Sequence, residues 1–173
     1  PTSRRGLAPP RGGGVAPGMD GAGYGVGWGL AGAGGGIGVR MLRPPADFPW
    51  NEAEMLTRVR QALRLRGPAL LAQGAVRLLH GEADGFPGLA LDRLRDYLLL
   101  YKYARCAESY LDTLVPVLEQ ELHPAGIYLP DRIRSVTDDD RRPPAFHLPG
   151  QAAPPQLSVR EAARNSLAAL NAP

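Results

Sequence analysis

The sequence has one cysteine, Cys106, which excludes an intrachain disulfide and leaves too few thiolates for a cysteine-rich zinc site. A reducing compartment is then the simpler expectation, with cytoplasm as the default. Lysine is equally scarce, with Lys102 alone among 20 basic side chains, and aromatic residues make up only 6% of the chain. No uninterrupted apolar run approaches the ~18 residues that span a bilayer. The longest, Tyr97 to Tyr101, is strand length, so no membrane partner is expected. No signal peptide is visible, and the chain starts at Pro1 rather than Met, which reads as a fragment of something longer.

The 173 residues, 44% of them hydrophobic and 21% charged, suffice for one ordinary domain or two small ones. Glycine is unevenly spread: 15 of 22 lie between Gly6 and Gly38. Charge is uneven too. Residues 1–77 carry ten arginines against Asp20, Asp47, Glu52 and Glu54, whereas residues 78–173 carry ten basic and thirteen acidic side chains. A basic front suits a polyanion such as nucleic acid. Arginine in place of lysine, together with much Ala, Gly and Pro, is also what a GC-rich genome encodes, and both readings stay open.

Five stretches follow from composition. Residues 1–23 mix Arg4, Arg5 and Arg11 with Gly and Pro and show no apolar period, so a flexible segment is expected. Residues 24–43 alternate large residues with glycine in two runs, Tyr24 to Leu30 and Ile37 to Leu42, which predicts a Gly-rich β-hairpin. Residues 44–134 read as an α/β unit. Asn51 and Glu54 have capping spacing before a helix whose apolar side carries Met55, Leu56, Val59, Ala62 and Leu63, with Arg58, Arg60, Arg64 and Arg66 mostly on the other side and Gly67-Pro68 as its stop. Strands are predicted at Val76 to Leu79, Leu89 to Asp92, Tyr97 to Tyr103 and Gly126 to Leu129, and a second helix at Glu108 to Leu122, kinked or shortened by Pro116. Residues 135–157 have the composition of a Pro-rich linker. In residues 158–173, Ser158 and Glu161 have capping-box spacing and alanine is abundant, which predicts a terminal helix. The fold class is therefore α+β: a Gly-rich hairpin, a small mixed sheet with two helices, and a Pro-rich tail.

Few motifs carry chemistry. Gly27-Trp28-Gly29-Leu30-Ala31-Gly32 matches G-x-G-x-x-G, yet more glycine and a strand follow it where a phosphate site needs a helix N-terminus. His80, Glu82 and Asp84 could serve a metal or acid-base chemistry, but Asp84-Gly85 and Pro87-Gly88 are turn dipeptides and favour a structural loop. Cys106 has no histidine at a suggestive position and gets no role. His123 and His147 are expected to face solvent. There is no nucleophile elbow and no P-loop triplet.

The run Arg77-Leu78-Leu79-His80-Gly81-Glu82-Ala83-Asp84-Gly85-Phe86-Pro87-Gly88-Leu89-Ala90-Leu91-Asp92-Arg93 resembles a signature of the S-adenosylmethionine-dependent ribosomal large-subunit RNA cytosine-C5 methyltransferases. Gly27 to Leu30 and Ile37 to Leu42 resemble the end of that family's PUA domain, an RNA-binding barrel, and residues 51–66 the helix after it. The resemblance covers about residues 24–134. It implies a PUA remnant and the middle α/β domain of an enzyme whose last domain, holding cofactor and catalytic cysteine, lies outside this chain. It also implies a strand pair near residues 158–170, against the helix expected from local rules; the helix is the expectation kept here.

On this reading the chain is the RNA-binding, substrate-recognition part of an rRNA methyltransferase. It holds no cofactor of its own, the full-length protein would use S-adenosylmethionine, and rRNA is the partner, with a homodimer allowed. Arg40 and Arg43 are the candidate phosphate contacts, and Trp28 either stacks a base or belongs to the core. Glu82, Asp84, Gly85, Pro87, Gly88, Asp92 and Arg93 would build a rigid structural loop, with Asp84 accepting backbone donors and Arg93 pairing with Glu82 or Asp92. Two alternatives stay open: a non-catalytic interaction or dimerisation module without RNA affinity, and a small enzyme whose site the sequence hides.

Overall fold

The computed structural model describes residues 14–19, 21–31, 39–42, 51–130, 146–154, 156–161 and 164–168. Strands β1 (Gly14–Met19), β2 (Gly25–Ala31) and β3 (Val39–Leu42) form an antiparallel sheet in that order. β2 and β3 pair Trp28 with Leu42 and Leu30 with Arg40. β1 corrects the expectation of a flexible segment at residues 1–23 for residues 14–19, because Val15 to Gly18 pair in register with Gly27 to Leu30. Backbone pairing along a ladder needs no apolar periodicity, so the composition of this segment did not reveal it. The glycine-rich link at residues 32–38, and Arg43, lie outside the described residues.

Helix α1 (Glu52–Leu71) begins where Asn51 accepts a hydrogen bond from the Glu54 amide at 2.9 Å. Gly67, at φ 69° and ψ 165°, interrupts the helical backbone as expected, but the chain resumes helix at Pro68 and ends only at Leu71. A proline is tolerated there because it opens a first turn, where its missing amide has no partner to lose. The arginines of α1 are not simply solvated. Arg58 is buried and pairs with Glu54 at 2.8 Å, and Arg60 grips Glu121 through two hydrogen bonds of 2.9 and 3.0 Å.

The larger sheet has the order β4 (Ala75–His80), β5 (Leu89–Leu94), β6 (Tyr97–Lys102), β7 (Gly126–Leu129), β8 (Phe146–Gly150). All neighbours are antiparallel except β6 and β7, which α2 (Glu108–Leu122) joins by a crossover. α2 passes through Pro116 as one helix, so the shortening expected there does not occur. β8 corrects the linker reading of residues 135–157 in part: Phe146 to Gly150 pair with β7, which puts His147 on a strand opposite Tyr128. His123, exposed, ends α2 at φ 46°.

Both helices pack on one face of this sheet. Leu78, Leu79, Leu89, Leu91, Leu98, Leu100 and Ile127 meet Met55, Val59, Leu114 and Leu118 there, and Leu30 joins them from the smaller sheet. Leu78 and Leu79 are both buried although adjacent, because a bulge between Arg77 and Leu79 turns consecutive side chains inward. On the opposite face Tyr97, Leu99 and Tyr128 form a second cluster with Ala153 and Leu157.

The tail overturns the predicted helix. β9 (Leu157–Glu161) and β10 (Arg164–Ala168) form an antiparallel hairpin, with Glu161 opposite Arg164. Leu157 is buried against the second cluster. Alanine's helix preference amounts to a few tenths of a kcal/mol per residue, and burying one leucine outweighs several such increments. Among the described residues, no helix is long and apolar enough to cross a membrane.

Candidate nucleic-acid interface

The segment from His80 to Gly88 is a loop made rigid from both sides. A 3₁₀ turn at Gly81–Asp84 ends at Gly85, and Gly81, Gly85 and Gly88 all have left-handed φ, of 54°, 79° and 77°. An L side chain rarely adopts such angles, so the spacing of these glycines is set by the turn itself. Asp84 ties the loop together. It accepts the His80 amide at 2.6 Å and a forked pair of bonds from Arg66 of α1, at 2.7 and 2.5 Å. Burial alone would raise its pKa, but the Arg66 and His80 hydrogen bonds outweigh that and hold the carboxyl below its ordinary value. Beneath the loop the Tyr110 hydroxyl donates to the Pro87 carbonyl at 2.8 Å, with the Cys106 thiol close by. Burial pushes the pKa of both groups up, which keeps them neutral and suits packing rather than chemistry.

Glu82 points outward and pairs with Arg40 of β3, a contact that joins the two sheets. Between them lies a cleft of about 260 Å³ lined by Arg40, Arg77, His80, Glu82, Ala90 and Tyr103, with Gly81, Gly88 and Leu89 completing its wall. Arg77 is held by Asp92 through bonds of 2.7 and 2.9 Å, which raise its pKa further and keep it charged. Tyr103 stacks on Tyr101, ring centroids 6.3 Å apart and planes inclined by 28°. Among the described residues no group of three or more His, Cys, Asp or Glu could hold a metal ion.

The cleft thus brings together Arg40 and the loop, which the sequence reading kept apart as RNA contact and structural turn. Trp28 packs partly buried against the helix-side core. Arg93 corrects its expected pairing: it donates to the Leu71 carbonyl, while Asp92 takes Arg77 and Glu82 takes Arg40. Sequence reasoning missed Arg77, Tyr103 and the Arg66–Asp84 pair. Strand alternation offers a signal for Arg77, which falls between buried Val76 and Leu78 and so faces the other way. Nothing in the sequence marks Arg66 as the partner of a residue 18 positions on.

No protein-family model matches the chain. It is 38% identical over 52 residues to ribosomal RNA large subunit methyltransferase I of Yersinia pseudotuberculosis, a match covering 30% of this chain and 13% of that protein. It is 32% identical over 97 residues to YwbD of Bacillus subtilis, a proposed ribosomal RNA large subunit methyltransferase, covering 52% of this chain and 24% of that one. Among solved structures, a proposed SAM-dependent methyltransferase from Streptococcus mutans superposes with a TM-score of 0.76 at 20% identity, and a second proposed methyltransferase, solved with SAH, with a TM-score of 0.78 at 20% identity. Each superposition covers 92% of this chain and 40% of the other. The chain therefore shares their fold over most of its own length, and it spans a quarter or less of the length of the curated relatives.

The G-x-G spacing at Gly27 and Gly29 does not build a SAM site. Gly27 and Gly29 lie in a strand paired on both sides, and a side chain at Gly29 would collide with Val39 of β3. Glycine there admits a neighbouring strand rather than a ligand.

Proposed function

We propose that this chain is the RNA-binding, substrate-recognition portion of an S-adenosylmethionine-dependent rRNA methyltransferase of the cytosine-C5 type, with the three-stranded sheet as a PUA-like remnant and methyl transfer left to a part of the protein outside this chain. The observation that carries it is Arg40. Its strand sets it on the rim of a cleft whose other walls come from the loop that resembles the family's signature, and arginine's fork suits phosphate. The relatives' names supply rRNA as the substrate class.

Salt dependence tests this. Each phosphate contact adds roughly 0.7 to 0.9 to the slope of log affinity against log salt. An Arg40→Ala, Arg43→Ala double variant should flatten the slope for rRNA fragments by about 1.5. Glu82→Gln should act in the opposite direction: with Arg40 released, affinity should rise by up to about fivefold, the upper worth of an exposed ion pair. If Arg40 serves only to tether the sheets, both variants weaken binding or neither changes it, and the proposal fails.

A second reading, an interaction or dimerisation module without RNA affinity, draws on β3, where Val39 and Met41 are about half exposed. A parent chain that binds no RNA at moderate salt but self-associates in sedimentation would establish it.

A further inference from the structure

The cleft floor is one row of the larger sheet. His80 on β4 lies opposite Ala90 on β5, and Ala90 lies opposite Tyr101 on β6, so the three side chains share a face. Ala90, with only a methyl group, leaves a slot between the imidazole and the tyrosines. Tyr103, 45% exposed, forms its wall through the ring stacked on Tyr101. Helices cover the other face of the sheet, and the second cluster with Ala153 and Leu157 packs on this face and reaches Tyr101, at the edge of the slot.

The charges argue against a site built for phosphate alone. Arg40 is matched by Glu82, and Arg77 by Asp92 through Nε and Nη2. Two compensated cations give a modest electrostatic pull, whereas one base on an aromatic ring contributes about 1–3 kcal/mol regardless of sequence. A slot with a flat aromatic wall and a small-residue floor fits a planar ring. In a duplex both faces of each base are already stacked, so only an unpaired base can enter.

We propose that the cleft takes one unpaired base of single-stranded RNA, stacked on Tyr103, with Arg77 and Arg40 flanking its phosphates. This rests on the RNA-binding reading above and specifies which RNA it takes. The test is fluorescence anisotropy of the whole chain with a labelled, unstructured uridine-rich RNA of about twelve nucleotides and with a blunt duplex of equal length. The parent should prefer the single strand. Tyr103→Ala should weaken it about tenfold with the salt slope unchanged, and Tyr103→Phe, which keeps the ring, should restore affinity to within about twofold of the parent. Thermal melting of both variants should stay close to the parent, since nearly half of Tyr103 is exposed and its ring packs on Tyr101 at the surface. A parent that binds RNA with the expected salt slope but prefers duplex, or a Tyr103→Ala variant of parental affinity, overturns the stacking proposal and leaves RNA recognition standing. A parent that binds neither RNA overturns both.

Discussion

Replacing Asp84 with alanine should lower the stability of the chain by about 3 kcal/mol, well beyond the roughly 1 kcal/mol of a lost local hydrogen bond. Asp84 is nearly fully buried and forms a fork with Arg66, whose own side chain is 13% exposed. Removing one partner of a buried pair leaves the other charge uncompensated, at a cost of about 3–5 kcal/mol. The lower end applies because Arg66 keeps its bonds to the Arg77 and Ala62 carbonyls. For a chain of this size the melting midpoint should fall by roughly 6–12 °C. Acid provides an independent check. The folded carboxyl titrates below its ordinary value of 3.8, so the stabilisation it contributes is complete above that value and lost as pH falls through the folded one. Urea midpoints of parent and variant should therefore lie far apart at neutral pH and converge only in acid below 3.8. A constant gap from neutral to strongly acidic pH would show that the ionised carboxylate is not what stabilises the loop.

What the sequence revealed and what it hid divide along the range of the forces involved. Helix α1 was legible because its cap, its apolar rhythm and its Gly67-Pro68 break are each written in residues one to four positions apart. The central strands were legible as short apolar runs between turn residues, and the turn at residues 80–88 by its glycines and Asp84. β8 was not, and the β9–β10 hairpin showed only through the family resemblance, against local rules. β8 owes its strand character to β7, and the hairpin, whose two strands pair with each other, is anchored by Leu157 against the Tyr97, Leu99, Tyr128 cluster. Local rules saw prolines in one and alanines in the other. The cleft failed to show for the same reason: Arg40, Arg77 and Tyr103 are far apart in the chain and meet only where the two sheets do. Arg40 stands out in the sequence as a phosphate-matching fork held on a strand. That placed it correctly on β3 without revealing that Glu82 holds it against the loop.

Gly88→Ala should also cost about 3 kcal/mol, for steric rather than electrostatic reasons. At φ +77° an L residue loses about 1–2 kcal/mol, since its Cβ crowds the following carbonyl. The added methyl would also lie 2.7 Å from the Ala104 Cβ and 3.3 Å from the Cys106 sulfur, contacts that overpack a dense region at a further cost of about 1–3 kcal/mol. The Gly88 carbonyl accepts the amides of Tyr103 and Ala104, at 2.8 and 3.2 Å, so a shift that relieves the clash drags Tyr103 with it. Stability and RNA affinity should then fall together, unlike in Tyr103→Ala, where affinity falls alone. Adding Ala104→Gly should remove the nearer clash and recover about 1 kcal/mol, leaving the backbone strain in place. A Gly88→Ala variant melting within about 2 °C of the parent would mean that the loop relaxes freely at this point. Tyr103 would then not be held in place by Gly88, and the wall of the cleft would have to be positioned by Tyr101 alone.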